Sequence, residues 1–167
     1  MRSIAFLLAW LALMPSTVLG GTADNATVLR IGDGDSLLVQ QGSRQIRVRL
    51  ACIDAPELQQ APWGAMAQSY LESRLPPGRE VRLRPVDLDR YGRVVAQVIG
   101  EINIGLTLVE DGQAFVERSR LNGCDAHEYL EAEARAARRR YGIWQQPGGI
   151  TRPWLVRQRR KLARSAK

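Results

Sequence analysis

The chain has 167 residues, enough for one domain with a real core plus extensions. Lysine and arginine total 24 against 17 acids, a formal net charge of +7 that suits nucleic acid, anionic lipid or acidic polysaccharide as partner. After the first apolar run no segment resembles a transmembrane helix, and neither cysteine has a cysteine or histidine at zinc-ligand spacing, which excludes an integral membrane domain and a zinc ribbon.

In chain order, Met1-Arg2-Ser3-Ile4 through Leu13-Met14 is a short positive segment followed by an apolar run, with small residues at Gly20 to Ala23. This pattern predicts a signal peptide over residues 1–23, cleaved after Gly20 or Ala23, and so an exported protein, periplasmic or secreted. A retained N-terminal membrane anchor is the alternative. Residues 24–150 then read as one domain. Ala26–Ile31 and Leu37–Val39 are apolar-rich segments flanking Asp33-Gly34-Asp35-Ser36, where Asp-Gly signals a tight turn. In residues 45–50, Ile46, Val48 and Leu50 alternate with Gln45, Arg47 and Arg49, the period of a half-buried strand. Pro56 cannot donate to a ladder, so the chain leaves the sheet there.

Pro62–Leu75 has helical spacing, with Met66, Tyr70 and Arg74 on one stripe and Ala67 and Leu71 on another; Pro76-Pro77-Gly78 stops it. Strand patterns return at Glu80–Pro85 and Val94–Ile99. Asn103 caps a short predicted helix ending near Gly112, and Asp125 caps a longer one with Leu130, Ala134, Ala137 and Tyr141 on one face, stopped by Gly142. Its His127, the sole histidine, reads as a solvent-facing residue. Strands first and helices later predict an α+β fold with an antiparallel sheet. Residues 151–167 carry seven cations and no acid, and read as a partly disordered basic tail making non-specific contacts, away from the chemistry. In an exported chain Cys52 and Cys124 can form a disulfide; two buried free thiols are the other reading.

Residues 49–57, Arg-Leu-Ala-Cys-Ile-Asp-Ala-Pro-Glu, put one cation and two carboxylates, Asp54 and Glu57, around a strand end. If Asp33 and Asp35 converge with them, four acids repel one another, and a hard cation with oxygen ligands relieves the strain. Asp89-Arg90-Tyr91-Gly92-Arg93 adds a second arginine, and two planar guanidiniums can grip a phosphodiester from different sides.

These three motifs in this order, with Leu108-Val109, Gly112, Glu131-Ala132-Glu133 and Gly142-Ile143-Trp144, resemble the staphylococcal nuclease, or thermonuclease, family over about residues 26–146. The resemblance implies a five-stranded OB-fold β-barrel with about three helices. It also implies Ca²⁺-dependent endonucleolytic hydrolysis of DNA and RNA, with 3′-phosphate products, by a monomer. Carried over by position, Asp35, Asp54 and the backbone carbonyl of Ala55 are similar to the calcium ligands, and Asp33 to a nearby acid acting through water. Glu57 resembles the proposed general base, Arg49 and Arg93 the phosphate-gripping pair, and Arg90 and Tyr91 substrate contacts. Residues 116–120, Val-Glu-Arg-Ser-Arg, lack a tyrosine that the family has there, leaving Arg118 or Arg120 to meet phosphate instead. Two other readings compete: a non-catalytic nucleic acid-binding module, and an envelope protein whose basic tail meets anionic surfaces.

Overall fold

The computed structural model describes residues 25–166. The signal peptide expected over residues 1–23 lies outside them. The first half contains β1 (Asn25–Ile31), β2 (Ser36–Gln41), β3 (Arg44–Leu50), β4 (Ile53–Asp54), α1 (Trp63–Arg74), β5 (Glu80–Leu88) and β6 (Val94–Ile99). The second half adds α2 (Ile104–Glu110), β7 (Phe115–Val116), α3 (Ala126–Arg139) and α4 (Pro153–Ser165). Five strands close a barrel in the order β1-β2-β3-β6-β5, so the α+β, OB-type architecture stands.

The sheet is not wholly antiparallel as expected. β3 and β6 run parallel, pairing Val48 with Val94, Arg49 with Val95 and Leu50 with Ala96. Alternation of direction around a closed ring of five must fail once, and it fails here. The barrel interior takes one side of each strand: Val28, Val39, Val48, Leu50, Leu83 and Val98 are buried, and α1 covers one end with Ala67, Leu71 and the following Leu75. Burial at every second residue is the period that the sequence carries.

Both expected caps form: Asn103 accepts from the Leu106 N–H and Asp125 from the Glu128 N–H. The buried face of α3 differs from the expected one. Tyr129, Ala132, Glu133 and Ala136 face inward, while Leu130 and Tyr141 are exposed. Glu133 tolerates burial because it accepts from the Val116 N–H (2.9 Å) and pairs with Arg118 (2.5 Å). His127 lies on the exposed side.

The basic C-terminal segment also differs from expectation. Residues 153–165 form a fourth helix rather than a frayed tail. Pro153 starts it, and Trp154 meets Phe115 edge-on with ring centroids 6.2 Å apart. Arg152 lies over Phe115 and Trp144, 4.1 and 4.9 Å from the ring centroids. No helix among the described residues is long and apolar enough to cross a membrane.

A disulfide joins Cys52 to Cys124 across 72 residues of sequence, tying the end of the barrel to the approach to α3. Reducing it is expected to cost about 3–5 kcal/mol of unfolding free energy by loop-closure entropy. Urea midpoints with and without reductant measure this; coincident midpoints would contradict it.

Candidate active site

The alternation of β3 decides where Arg49 points. With Val48 and Leu50 directed into the barrel, Arg49 emerges on the outer side at the end of the strand, only 12 % exposed. Its neighbour in the ladder is Ser36, and the Leu50 N–H donates to the Asp35 carbonyl at 2.8 Å. The Asp33-Gly34-Asp35 turn is thus fastened beside the strand end. Gly34 makes the approach possible: a Cβ there would lie 2.7 Å from the Ala55 Cβ and 2.8 Å from the Ala67 Cβ.

Asp54 arrives by a different route. Cys52 adopts φ 68°, a left-handed conformation costly for a residue with a Cβ. The reversal sends Ile53 and Asp54 into a short ladder with Val116 and Phe115. Asp54 has no exposed surface. Arg49 sits between the two acids, donating from Nη1 to Asp35 Oδ1 at 3.2 Å and from Nη2 to Asp54 Oδ1 at 2.8 Å. Asp35 Oδ2 accepts from the Ala55 N–H at 3.1 Å. Asp33 stands behind, accepting from the Asp35 N–H at 3.1 Å.

Electrostatics follow from this crowding. Burial pushes the Asp35 carboxyl up to about 7; Arg49 opposes the shift, and the charges of Asp33 and Asp54 add to it. Burial alone would lower the Arg49 pKa, but Asp35 and Asp54 outweigh it and hold the guanidinium firmly charged.

Glu57 stands on the following turn. Gly64 of α1 passes so close that a Cβ would lie 2.2 Å from the Glu57 carbonyl oxygen. The backbone of Glu57 is further held by its N–H donating to Gln60 Oε1 at 3.0 Å. Its carboxylate, with that of Asp54, is met by a residue the sequence reading assigned to the tail. Arg157 of α4 donates to Asp54 Oδ2 at 2.6 Å, to Asp54 Oδ1 at 3.1 Å and to Glu57 Oε1 at 2.6 Å.

The second arginine is set by the β5–β6 turn. Asp89 Oδ1 accepts from the N–H groups of Tyr91 and Arg93, both at 2.9 Å, and Oδ2 accepts from Arg93 Nε at 2.7 Å. Burial acts against the Asp89 carboxylate, but these donors prevail and lower its pKa. Among the described residues no side chain engages the terminal nitrogens of Arg93. Arg93 and Arg90 lie over the exposed Tyr91 ring at 5.7 and 5.0 Å.

Asp35, Arg49, Glu57, Tyr91, Arg93 and Arg157 line one cleft of about 830 Å³. Arg120 lines it too, paired with Glu117 at 3.3 Å. Arg118 is drawn away to Glu133, so of the two arginines considered for the missing tyrosine only Arg120 faces the cleft. Glu117, overlooked in the sequence, lies 3.8 Å from Arg49.

Among the described residues no three acidic, histidine or cysteine side chains are grouped as an ion's ligands would be. The chemistry of Asp35 and Asp54 nevertheless fits a hard cation. Both are buried oxygen donors, and burial, with the charges of Asp33 and Asp54 added, drives Asp35 toward neutrality.

A family model described as staphylococcal nuclease homologue matches residues 47–146. The chain belongs to the staphylococcal nuclease family. It is 37 % identical over 146 residues to a micrococcal nuclease of Shigella flexneri, covering 81 % of this chain and 82 % of that protein. It is 33 % identical over 135 residues to an uncharacterized endonuclease of Escherichia coli, covering 80 % and 84 %. The match to the family model spans Arg49, Asp54, Glu57 and Arg93, whereas Asp35 precedes it and Arg157 follows it.

The raised Asp35 pKa makes the protein's stability depend on pH. Its folded pKa of about 7 exceeds the ordinary 3.8, so between those values the folded protein holds a proton that the unfolded chain releases. Its contribution to stability therefore falls as pH rises through that window. In metal-free buffer the melting temperature of Asp35→Asn minus that of wild type is expected to shift in the variant's favour from pH 4 to pH 8. A difference independent of pH would contradict the assignment.

Proposed function

We propose that the chain is a Ca²⁺-dependent nuclease that hydrolyses phosphodiester bonds in both DNA and RNA. Membership of the staphylococcal nuclease family, with relatives named as nuclease and endonuclease, makes it a hydrolase acting as a phosphodiester endonuclease. The single observation that carries the finer reading is the shared cleft, where Arg49 and Arg93 face the same space as Asp35 and Glu57.

The residue chemistry divides the labour. Asp35, Asp54 and the backbone carbonyl of Ala55 would hold the calcium ion. When bound, the ion supplies positive charge for the phosphate oxygens and a binding place for water. Arg49, fixed by two carboxylates, presents a rigid donor edge, and Arg93 offers its terminal nitrogens from the turn just before the paired strand β6. Two guanidiniums placed where charge develops stabilise the pentacoordinate transition state more than the ground state. As the water oxygen bonds to phosphorus the P–O5′ bond breaks; Glu57 accepts the water's proton, and the departing 5′-oxygen takes a proton from solvent. Arg90 and Tyr91, at the exposed rim, take the nucleotide flanking the cut, the ring by stacking on a base. Phosphate is common to DNA and RNA, so a guanidinium pair that grips it supports acceptance of both. Cleavage is proposed to leave 3′-phosphates.

Export is proposed on the leader-like residues 1–23 and on the Cys52–Cys124 disulfide, a bond at home in oxidising compartments. The mature protein would be periplasmic or secreted. Action as a monomer is part of the same proposal.

Supercoiled plasmid and single-stranded RNA, each incubated with the purified protein, test the reading. Both are expected to be degraded with Ca²⁺ and spared with EDTA. Intact substrates in Ca²⁺, or degradation undiminished by EDTA, would refute it.

A further inference from the structure

Asp54 is the most heavily engaged acid of the site. Its Oδ1 accepts from both Arg49 and Arg157, and its Oδ2 accepts from Arg157 at 2.6 Å. Three of its roughly four acceptor positions are taken and the side chain has no exposed surface, so a cation reaching Asp54 has to displace a neighbouring guanidinium. The two arginines are unequal candidates for release. Arg49 is 12 % exposed, belongs to a barrel strand and is also tied to Asp35. Arg157 is 39 % exposed and reaches the acid pair from a separate helix.

The fastenings of α4 do not depend on Arg157. Trp154 stacks edge-on against Phe115, Arg160 donates to Gln59 Oε1 at 3.0 Å, and Gln60 Nε2 donates to the Thr151 carbonyl at 2.8 Å. A rotamer change of one long side chain thus frees Asp54 Oδ2 without undocking the helix. The same movement frees Glu57 Oε1, which Arg157 holds at 2.6 Å. A divalent ion beside Arg157 would also repel it, so occupancy by one disfavours the other.

We propose that Arg157 is the site's internal counter-cation: it neutralises Asp54 and Glu57 in the metal-free protein and competes with Ca²⁺ for Asp54. The inference rests on the calcium assignment above. It makes Arg157 a positioning residue, which keeps the acid pair in place before metal enters and releases Glu57 for proton transfer only afterwards. Competition of this kind is reciprocal: whatever removes Arg157 must tighten the metal, and metal must loosen Arg157.

Calorimetric titration of Ca²⁺ into the metal-stripped full chain tests this. Arg157→Gln is expected to bind Ca²⁺ at least about fivefold more tightly than wild type, the lower end of typical coupling. Arg164→Gln removes the same charge from the exposed end of α4 and controls for net charge; it is expected to change affinity less than about twofold. Affinity of Arg157→Gln equal to wild type, weaker, or matched by Arg164→Gln overturns the proposal. Absence of binding in all three proteins overturns it together with the calcium assignment, whereas binding without a difference overturns this inference alone. A second measurement uses only wild type. The guanidinium NMR signals of Arg157 are expected to show hindered rotation without metal and free rotation with saturating Ca²⁺. Hindered rotation in both states would also overturn the proposal.

Discussion

The structure turns on one guanidinium placed between two buried carboxylates. Arg49 joins the Asp35 turn to the Asp54 turn, segments that reach the barrel end by unrelated paths. Without that cation the two acids would face each other with little solvent, and removing one partner of such a buried pair typically costs about 3–5 kcal/mol. The neighbouring devices serve this meeting. Gly34 allows close approach, Cys52 accepts a left-handed backbone, and the Asp35 carbonyl closes the strand end. The same atoms that hold the loops together also present a fixed positive edge to the cleft.

Charge placement then explains how a basic protein can keep an acidic floor. Asp35 and Asp54 lie deep, while Arg90, Arg93, Arg120 and Arg157 stand nearer the rim. A polyanion meets the arginines before it meets the carboxylates. Burial still holds the Asp35 pKa raised, with Arg49 opposing the shift and the charges of Asp33 and Asp54 adding to it. At Asp54 a bound cation and Arg157 of α4 would answer the same negative charge, which is why they compete.

The barrel was largely legible in the sequence because its signals are local. The alternation at 45–50, the Asp-Gly turn and the caps at Asn103 and Asp125 each act within a few residues. Arg49, Asp35 and Asp54 could be named because they stand on those elements, and family resemblance supplied their order. Three features escaped for lack of a local signal. The parallel β3–β6 pair is a consequence of ring closure. The inward face of α3 includes Glu133, whose partners Val116 and Arg118 lie 17 and 15 residues away. Arg157 meets Asp54 across 103 residues, and within its own segment it is one arginine among several.

Two arginines, one at the end of β3 and one in the turn before the paired strand β6, are proposed to act together on one phosphate. Arg49 is a poor place to test it, since its loss also disturbs the pairing of two buried acids. Arg93 is cleaner, being held by Asp89 in a turn outside the core. The decisive measurement is kcat for Arg93→Gln on a defined oligonucleotide, with the urea midpoint measured alongside. A fall of about a hundredfold or more with the midpoint unchanged is expected, whereas turnover within about threefold of wild type would rule out the shared grip.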